Sequence, residues 1–278
     1  MSVAPPTWSI ERHRRVGSTM EIAGERAGAG APEGTVVVAD YQSAGRGRAG
    51  RQWVAPPGSA LMLTAVLRPD LPADRLGPLA LVAGVALAEA VEIETGLSCW
   101  LKWPNDLWFG DRLDGRKTAG ILVSARLGSA GVDHVLVGIG LNVSTPAGAM
   151  APGATSIAVE LAQEGREPAP WGNGTFGDDP RERFLSRTLE RLGKHYSGFV
   201  AARGRPPLAD WLERAALLGE WVDVDDGGEA QRGVFTGLRA DGALLLRNEC
   251  GDEVAVVAGD LVRGPRYRPP SASARSRR

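Results

Sequence analysis

The stretch that most constrains this chain is a run rich in glycine and arginine, QSAGRGRAGRQW, from Gln42 to Trp53. Its glycines fit the G-x-G-x-x-G pattern of dinucleotide-binding folds, in which the last glycine opens a helix that holds a pyrophosphate. Here VAPPG follows the tryptophan, and two prolines before a glycine prevent a helix. A Rossmann fold is therefore excluded at the place where its motif occurs.

Three arginines alternate with these glycines: Arg46, Arg48 and Arg51. Glycine lets the backbone approach a ligand closely, and guanidinium groups match phosphate and carboxylate oxygens. One interpretation is an anion-binding loop that becomes ordered around a phosphate. The other is a solvated surface loop without a ligand, and this stretch alone favours neither.

Length and composition fit a globular chain of 278 residues, enough for one large domain or for one domain and a small second one. The formal net charge is -1 and the isoelectric point is about 6.4, so no overall basic field would recruit nucleic acid. Two cysteines without a metal-binding spacing, and no signal-peptide pattern, predict a cytoplasmic location. The apolar stretch Leu76–Val91 is shorter than a membrane span and predicts a core helix.

The order of the patterns predicts an α+β fold. Strand patterns cover 35–40, 60–67, 117–123 and 135–143, and helical patterns cover 18–29, 76–91 and 180–203. From about Leu218, four short strand patterns separated by Gly and Asp turns predict a small all-β barrel. The expected domains are 1–216 and 217–265, followed by a basic tail, 266–278, that is expected to be disordered.

Two polar stretches contain candidate site residues, each with a structural alternative. Ser18 and Glu21 have the form of a capping box, which would explain Ser18 as the start of a helix. In KWPND, Asn105 and Asp106 suit a turn. Two tryptophans and a lysine beside that turn favour a site.

A lysine and two glycines complete the candidates. Lys117 stands at the start of an apolar strand, KTAGILV. Gly138 and Gly140 interrupt a second buried strand, VLVGIGLNV. Glycine within a strand indicates either the close approach of a ligand or a bulge or tight packing, and both interpretations stay open.

Taken together, five motifs in this order resemble the biotin protein ligases: GST at 17–19, QSAGRGRAGRQW, KWPNDL at 102–107, KTAGIL at 117–122 and GIGLNV at 138–143. The resemblance covers roughly residues 10–262, with GLRADGALLL at 237–246 similar to the family's SH3-like C-terminal domain. It implies a mixed β-sheet flanked by helices, related to class II synthetase catalytic domains, plus that barrel.

The resemblance also implies a two-step reaction. ATP and biotin form biotinyl-5′-AMP and pyrophosphate. A lysine of a biotin carboxyl carrier domain of an acyl-CoA carboxylase then takes the biotinyl group. The implied catalytic residues are Lys117 and Arg48, and Asp106 is the carboxylate implied to lie near Mg²⁺.

The implied binding residues fall into two groups that share Lys117. The biotin group is Ser18, Thr19, Gln42, Gly45, Arg46, Lys117, Gly138 and Gly140. The adenylate group is Arg48, Arg51, Trp53, Asn105, Asp106, Lys117 and Asn142. Met20 departs from the family pattern, in which a polar residue often follows Ser-Thr.

Two other functions are compatible with parts of this pattern, a lipoate ligase and a non-catalytic biotin sensor. A lipoate ligase would share the fold and the chemistry, but the arginine–glycine loop with KWPND and GIGLNV is the biotin-type set. A non-catalytic biotin sensor would not need Lys117 and the phosphate loop. Because the catalytic pattern begins close to the N-terminus, we expect a monofunctional ligase without the helix-turn-helix repressor domain of many bacterial relatives. Neither nucleic acid nor membrane is an expected partner.

Overall fold

The computed structural model describes residues 3–129, 131–166, 179–225 and 230–264. Its main sheet has seven strands: β1 (Ser9–His13), β2 (Thr35–Ala39), β3 (Ala60–Leu67), β4 (Trp100–Lys102), β5 (Asp106–Gly110), β6 (Gly115–Gly128) and β7 (Gly131–Asn142). The helices are α1 (Thr19–Gly28), α2 (Leu79–Thr95), α3 (Ile157–Gln163), α4 (Pro180–Ala201) and α5 (Leu208–Glu213).

The main sheet is mixed, with the strand order β1-β2-β3-β7-β6-β5-β4. β1 and β2 are parallel, and each of the other neighbouring pairs is antiparallel. The central strands β3, β7 and β6 are consecutive in space, so the apolar runs of the sequence lie side by side.

Alternation along β3 and β7 decides which side chains reach which face of the sheet. The odd-numbered residues of both strands, such as Leu63 and Val137, join the main core beneath α2 and α4. The even-numbered residues Val66 and Leu136 pack instead against α1 on the opposite face. Since successive strand residues point to opposite faces, Gly138 and Gly140 lie on the α1 side with Leu136.

The two faces of the sheet carry different helices. α1 packs on β2, β3 and β7, whereas α2 packs against α4, β4, β5 and β6. By length and composition Ala73–Thr95 could cross a membrane, but 72% of its most apolar window is buried inside the fold. It is the central core helix that the sequence predicts, and it ends at Gly96 in a left-handed conformation (φ 70°) that suits glycine.

A second, antiparallel sheet follows α5. It contains β8 (Trp221–Asp225), β9 (Gln231–Leu238), β10 (Leu244–Arg247), β11 (Glu253–Val256) and β12 (Asp260–Arg263). Its order is β11-β10-β9-β8-β12, which agrees with a small SH3-like barrel. The predicted tail, 266–278, lies outside the described residues, and the domain boundaries at 216 and 265 stay predictions.

The fold class predicted from the sequence is confirmed, with differences at short elements. The sequence did not indicate β5 and β12, because each has only four or five residues and begins with an aspartate that suits a turn. The helix predicted at 76–91 is shifted to Leu79–Thr95 because a 3-10 turn, Ala73–Arg75, precedes it.

Candidate active site

A cavity of about 320 Å³ opens on the α1 face of the main sheet. Thirteen of the fourteen site residues expected from the sequence line it: Ser18, Thr19, Gln42, Arg46, Arg48, Arg51, Trp53, Asn105, Asp106, Lys117, Gly138, Gly140 and Asn142. Gly45 is not part of the lining. The cavity has a buried end at the start of α1 and a cationic end beside Lys117.

The buried end is a hydrogen-bonded network of neutral polar groups. Gln42 Oε1 accepts from the Thr19 backbone amide at 2.6 Å and from the Thr19 hydroxyl at 3.0 Å. The Thr64 hydroxyl donates in turn to Thr19 Oγ1 at 2.9 Å. Both threonine side chains are nearly inaccessible to solvent, so the network holds the Gln42 amide in one orientation.

Ser18 is the N-cap residue of α1, as the sequence predicts. The hydrogen bond of the predicted capping box is absent, because the Ser18 side chain makes no capping contact. Its hydroxyl is buried and has no partner among the described residues, although it lines the cavity. A buried hydroxyl without a partner costs free energy, so this group is available to a polar ligand.

The two strand glycines give room to two large side chains. A Cβ added at Gly140 would lie 2.5 Å from Cε2 of Trp53, and one added at Gly138 would lie 2.7 Å from Sδ of Met20. No β-bulge occurs at either glycine in its pairing with β3 or β6. Tight packing is therefore the observed reason for both glycines, and it takes place inside the cavity.

The arginine–glycine loop folds back on itself at Gly45. A Cβ there would lie 2.4 Å from the carbonyl oxygen of Trp53, so only glycine fits. Trp53 N donates to the Gly45 carbonyl at 3.0 Å, which closes the loop. Gly45 thus shapes the loop rather than lining the cavity. Arg46 stays largely exposed and lies 3.8 Å from Glu21.

Two arginines of this loop reach the second sheet. Arg51 pairs with Asp260 at 2.9 Å, and an Arg48 nitrogen lies 3.7 Å from the same carboxylate. Arg48 also donates to the carbonyl of Gly259 at 3.4 Å and to Asn105 Oδ1 at 3.2 Å. Gly259 and Asp260, at the start of β12, therefore hold the loop in place. The sequence did not predict this contact because its partners are more than 200 positions apart.

Lys117 is the charged centre of the cationic end. Its ammonium nitrogen lies 2.7 Å from Asp106 Oδ1, in an ion pair whose angles do not form a hydrogen bond. Gly120 makes room for it, since a Cβ at Gly120 would lie 3.2 Å from Lys117 Nζ. Asn105 is fixed beside this pair because its amide nitrogen donates to the Ile121 carbonyl at 2.6 Å.

Asn142 is buried and anchors the loop that follows β7. Its amide nitrogen donates to the Thr155 carbonyl at 3.1 Å, and Thr155 N donates to the carbonyl of Lys117 at 2.8 Å. This connection closes one wall of the cavity with small and apolar residues that sequence reasoning missed: Ala149, Met150, Ala151 and Ala154. They carry no polar group or motif that would have revealed them.

The described residues do not form a metal site on their own. No group of three or more His, Cys, Asp and Glu side chains converges anywhere in the described ranges. The Asp106 carboxylate already pairs with Lys117, and Asn105 Oδ1 accepts from Arg48. A magnesium ion would find one protein carboxylate here, so its other ligands would have to come from substrate phosphates and water.

The fold and cavity together define an enzyme of the adenylate-forming ligase class. Neutral polar groups at one end suit an uncharged ring system, and converging cations at the other suit a carboxylate and a phosphate. Residues 13–142 match the Biotin/lipoate A/B protein ligase family. The chain belongs to this family.

Individual relatives agree with that assignment. The Bifunctional ligase/repressor BirA of Bacillus spizizenii is 38% identical over 236 residues, which are 85% of this chain and 68% of BirA. A Biotin--[acetyl-CoA-carboxylase] ligase of Paracoccus denitrificans is 36% identical over 227 residues, 80% of this chain and 88% of the relative. The structure of the Aquifex aeolicus biotin protein ligase with biotin and ATP has a TM-score of 0.71 at 27% identity, covering 92% of this chain and 99% of that one.

Proposed function

We propose that this chain is an ATP-dependent biotin ligase that acts in two steps within the cavity. In the first step, a carboxylate oxygen of biotin attacks the α-phosphorus of ATP, and the bond to the bridging oxygen breaks to release pyrophosphate. In the second, a lysine amine of a biotin carboxyl carrier domain attacks the acyl carbon and AMP leaves. The observation that carries this proposal is one continuous cavity with a neutral polar end and a cationic end.

The buried end would take the ring system of biotin. A ureido group both donates and accepts hydrogen bonds, and the unpartnered Ser18 hydroxyl can do the same. The Gln42 amide is already oriented by Thr19. Met20 and Trp53 lie against Gly138 and Gly140, so they must move or stack where the ring enters.

The cationic end would neutralise charge during the first step. A carboxylate approaching a phosphate brings two anions together, so catalysis depends on positioned cations. Lys117, the charged centre of the cationic end, would contact both the carboxylate and the α-phosphate. Arg48 and Arg51 would exchange Asp260 for the phosphate and cover the adenylate.

When bound with ATP, Mg²⁺ would neutralise further phosphate charge, with Asp106 as its protein carboxylate. Cys99 and Cys250 are free thiols, which supports a cytoplasmic location. That the chain does not bind DNA stays a prediction from its near-neutral charge.

The test is mass spectrometry of the purified chain with biotin, ATP and Mg²⁺, followed by addition of a biotin carboxyl carrier domain. We expect bound biotinyl-5′-AMP first, and then one biotinyl group on one lysine of the carrier. Adenylate without transfer to any carrier would reduce the proposal to the first step. Tight biotin binding without adenylate would favour the non-catalytic sensor.

A further inference from the structure

Lys102 is a cation close to the cationic end, and it has no role in the proposed reaction as described so far. It is the last residue of β4 and lies directly opposite Asp106 in the pairing with β5. Side chains of directly paired residues share a face of the sheet, so Lys102 emerges beside the cationic end. Its ammonium nitrogen lies 4.7 Å from the centre of the Trp108 ring.

Lys102 forms no ion pair and no hydrogen bond with any of the residues that the structure describes. Its two acidic neighbours are engaged elsewhere, Asp106 with Lys117 at 2.7 Å and Asp260 with Arg51 at 2.9 Å. Among the described residues, the Trp108 ring is the group in direct contact with this ammonium, and a cation–π contact leaves its hydrogen-bond donors without an acceptor.

The electrostatic surroundings agree with this geometry. Burial lowers the pKa of the Lys102 ammonium, Asp106 and Asp260 oppose that shift, and Lys117 and Arg51 add to it. A partly buried ammonium close to two other cations is unfavourable unless an anion accompanies it. The two carboxylates that act on Lys102 are each paired with another cation, Asp106 with Lys117 and Asp260 with Arg51.

Lysine itself is rare in this chain. It has three lysines among its 32 arginine and lysine residues. Lys117 lines the cationic end, and Lys102 lies beside it, opposite Asp106 in the β4–β5 pair. Strand order separates them: Lys117 is on β6, Asp106 on β5 and Lys102 on β4, in a line away from β7 and its glycines. Two strand spacings are roughly 10 Å, a distance over which converging long side chains can contact one triphosphate.

We propose that Lys102 binds the β- and γ-phosphates of ATP and stabilises the pyrophosphate that leaves in the first step. This inference rests on the proposed function and adds a catalytic residue to it. As the new bond from the biotin carboxylate to the α-phosphorus forms, the electron pair of the breaking bond stays with pyrophosphate. Lys102 donates hydrogen bonds to the developing charge, and no proton has to be transferred.

The test separates the two half-reactions with Lys102→Met, which keeps an unbranched side chain beside Trp108 but removes the charge. We expect kcat/KM for ATP in biotin-dependent pyrophosphate release to fall about ten- to a hundredfold. Inhibition by added pyrophosphate should weaken by a similar factor. Transfer from supplied biotinyl-5′-AMP to a carrier domain should change less than about threefold, because that step involves no pyrophosphate. Lys102→Arg should recover part of the first step.

The third lysine supplies the control. Lys194→Met changes an exposed residue of α4 and should leave both half-reactions unaltered. If Lys102→Met reduced both half-reactions equally, Lys102 would act through the shape of the site, and the proposal would be wrong. Unchanged pyrophosphate release and inhibition would also overturn it.

A binding measurement covers the case in which Lys102→Met folds poorly. Pyrophosphate alone should raise the Tm of wild type and Lys102→Arg, and should raise that of Lys102→Gln much less. Equal stabilisation of all three would contradict the proposal. A wild-type chain that releases no pyrophosphate with biotin would instead refute the proposed function, so the two failures are distinguishable.

Discussion

At the buried end of the cavity, Thr19 at the start of α1 and Thr64 on the central strand β3 fix the polar groups, whereas at the cationic end Arg48 and Arg51 extend from a loop to Asp260 on an edge strand of the second sheet. Thr19 and Thr64 are almost wholly buried and bond to each other and to Gln42. Arg51 and Asp260, by contrast, are each about half exposed, at 58% and 46%. One end is organised before a substrate arrives, and the other is held by ion pairs that a substrate must replace.

This difference has a thermodynamic consequence. Exposed ion pairs contribute about 0–1 kcal/mol, so a phosphate can displace Asp260 from the arginines at small cost. The buried network has no such freedom, because breaking it would leave buried polar groups without partners. Selectivity for the acid should therefore reside at the buried end, and turnover and retention at the cationic end.

The largest effect should come from Lys117, the charged centre of the cationic end. We expect Lys117→Ala to slow pyrophosphate release by more than about a hundredfold, because the lost charge acts directly on the transition state. Biotin binding should weaken much less, since the buried end is intact. Lys194→Ala is the matched control. Near-wild-type release from a folded Lys117→Ala would remove Lys117 from the catalytic centre.

A substitution at Arg48 should distinguish retention of the adenylate from its synthesis. In Arg48→Gly we expect the intermediate to escape roughly ten- to a hundredfold faster, while Arg46, Arg51 and Lys117 still support its formation. Escaped biotinyl-5′-AMP would acylate an unrelated lysine-rich protein, so biotin on that bystander is the measurement. Arg205→Gly, an exposed loop arginine, is the control. Undiminished synthesis with no extra labelling would show that Arg48 does not retain the intermediate.

Gly140 tests the packing between the two ends. Because a Cβ would lie 2.5 Å from the Trp53 indole, Gly140→Ala should displace that ring and raise the KM for biotin about tenfold. Gly198→Ala is a suitable comparison, since no heavy atom lies within 4 Å of an added Cβ there. Steady-state kinetics would measure the KM for biotin in both variants. An unchanged KM would mean that the position of Trp53 does not limit biotin binding in the cavity.

Much of this arrangement was predictable from local sequence. The Gly45–Trp53 loop, Asn105, Asp106 and Lys117 lie within short motifs, and alternation along β7 places its two glycines on one face. The capping hydrogen bond predicted for Ser18 does not form. The spacing of Ser18 and Glu21 suits a helix start, but it does not show whether the serine hydroxyl caps the helix or faces a ligand. Asp260 could not be predicted, since its contact with Arg51 depends on how a second sheet packs 209 positions away.

The smallest effect should come from that second sheet. Asp260→Asn removes the carboxylate that competes with phosphate for Arg48 and Arg51, so ATP should bind about two- to fivefold more tightly at low salt. The difference should shrink as salt screens the exposed pair. Titration of ATP at two salt concentrations measures it. Weaker ATP binding would mean that Asp260 positions the arginines instead of competing for them.

We propose that the buried end selects biotin and that the cationic end activates it. The most direct test of this proposal is pyrophosphate release by the purified chain with ATP and Mg²⁺, measured in parallel with biotin, with lipoate and with no acid. We expect release that depends on biotin, with lipoate indistinguishable from no acid. Release driven by lipoate, or no release with biotin from a folded chain, would contradict it.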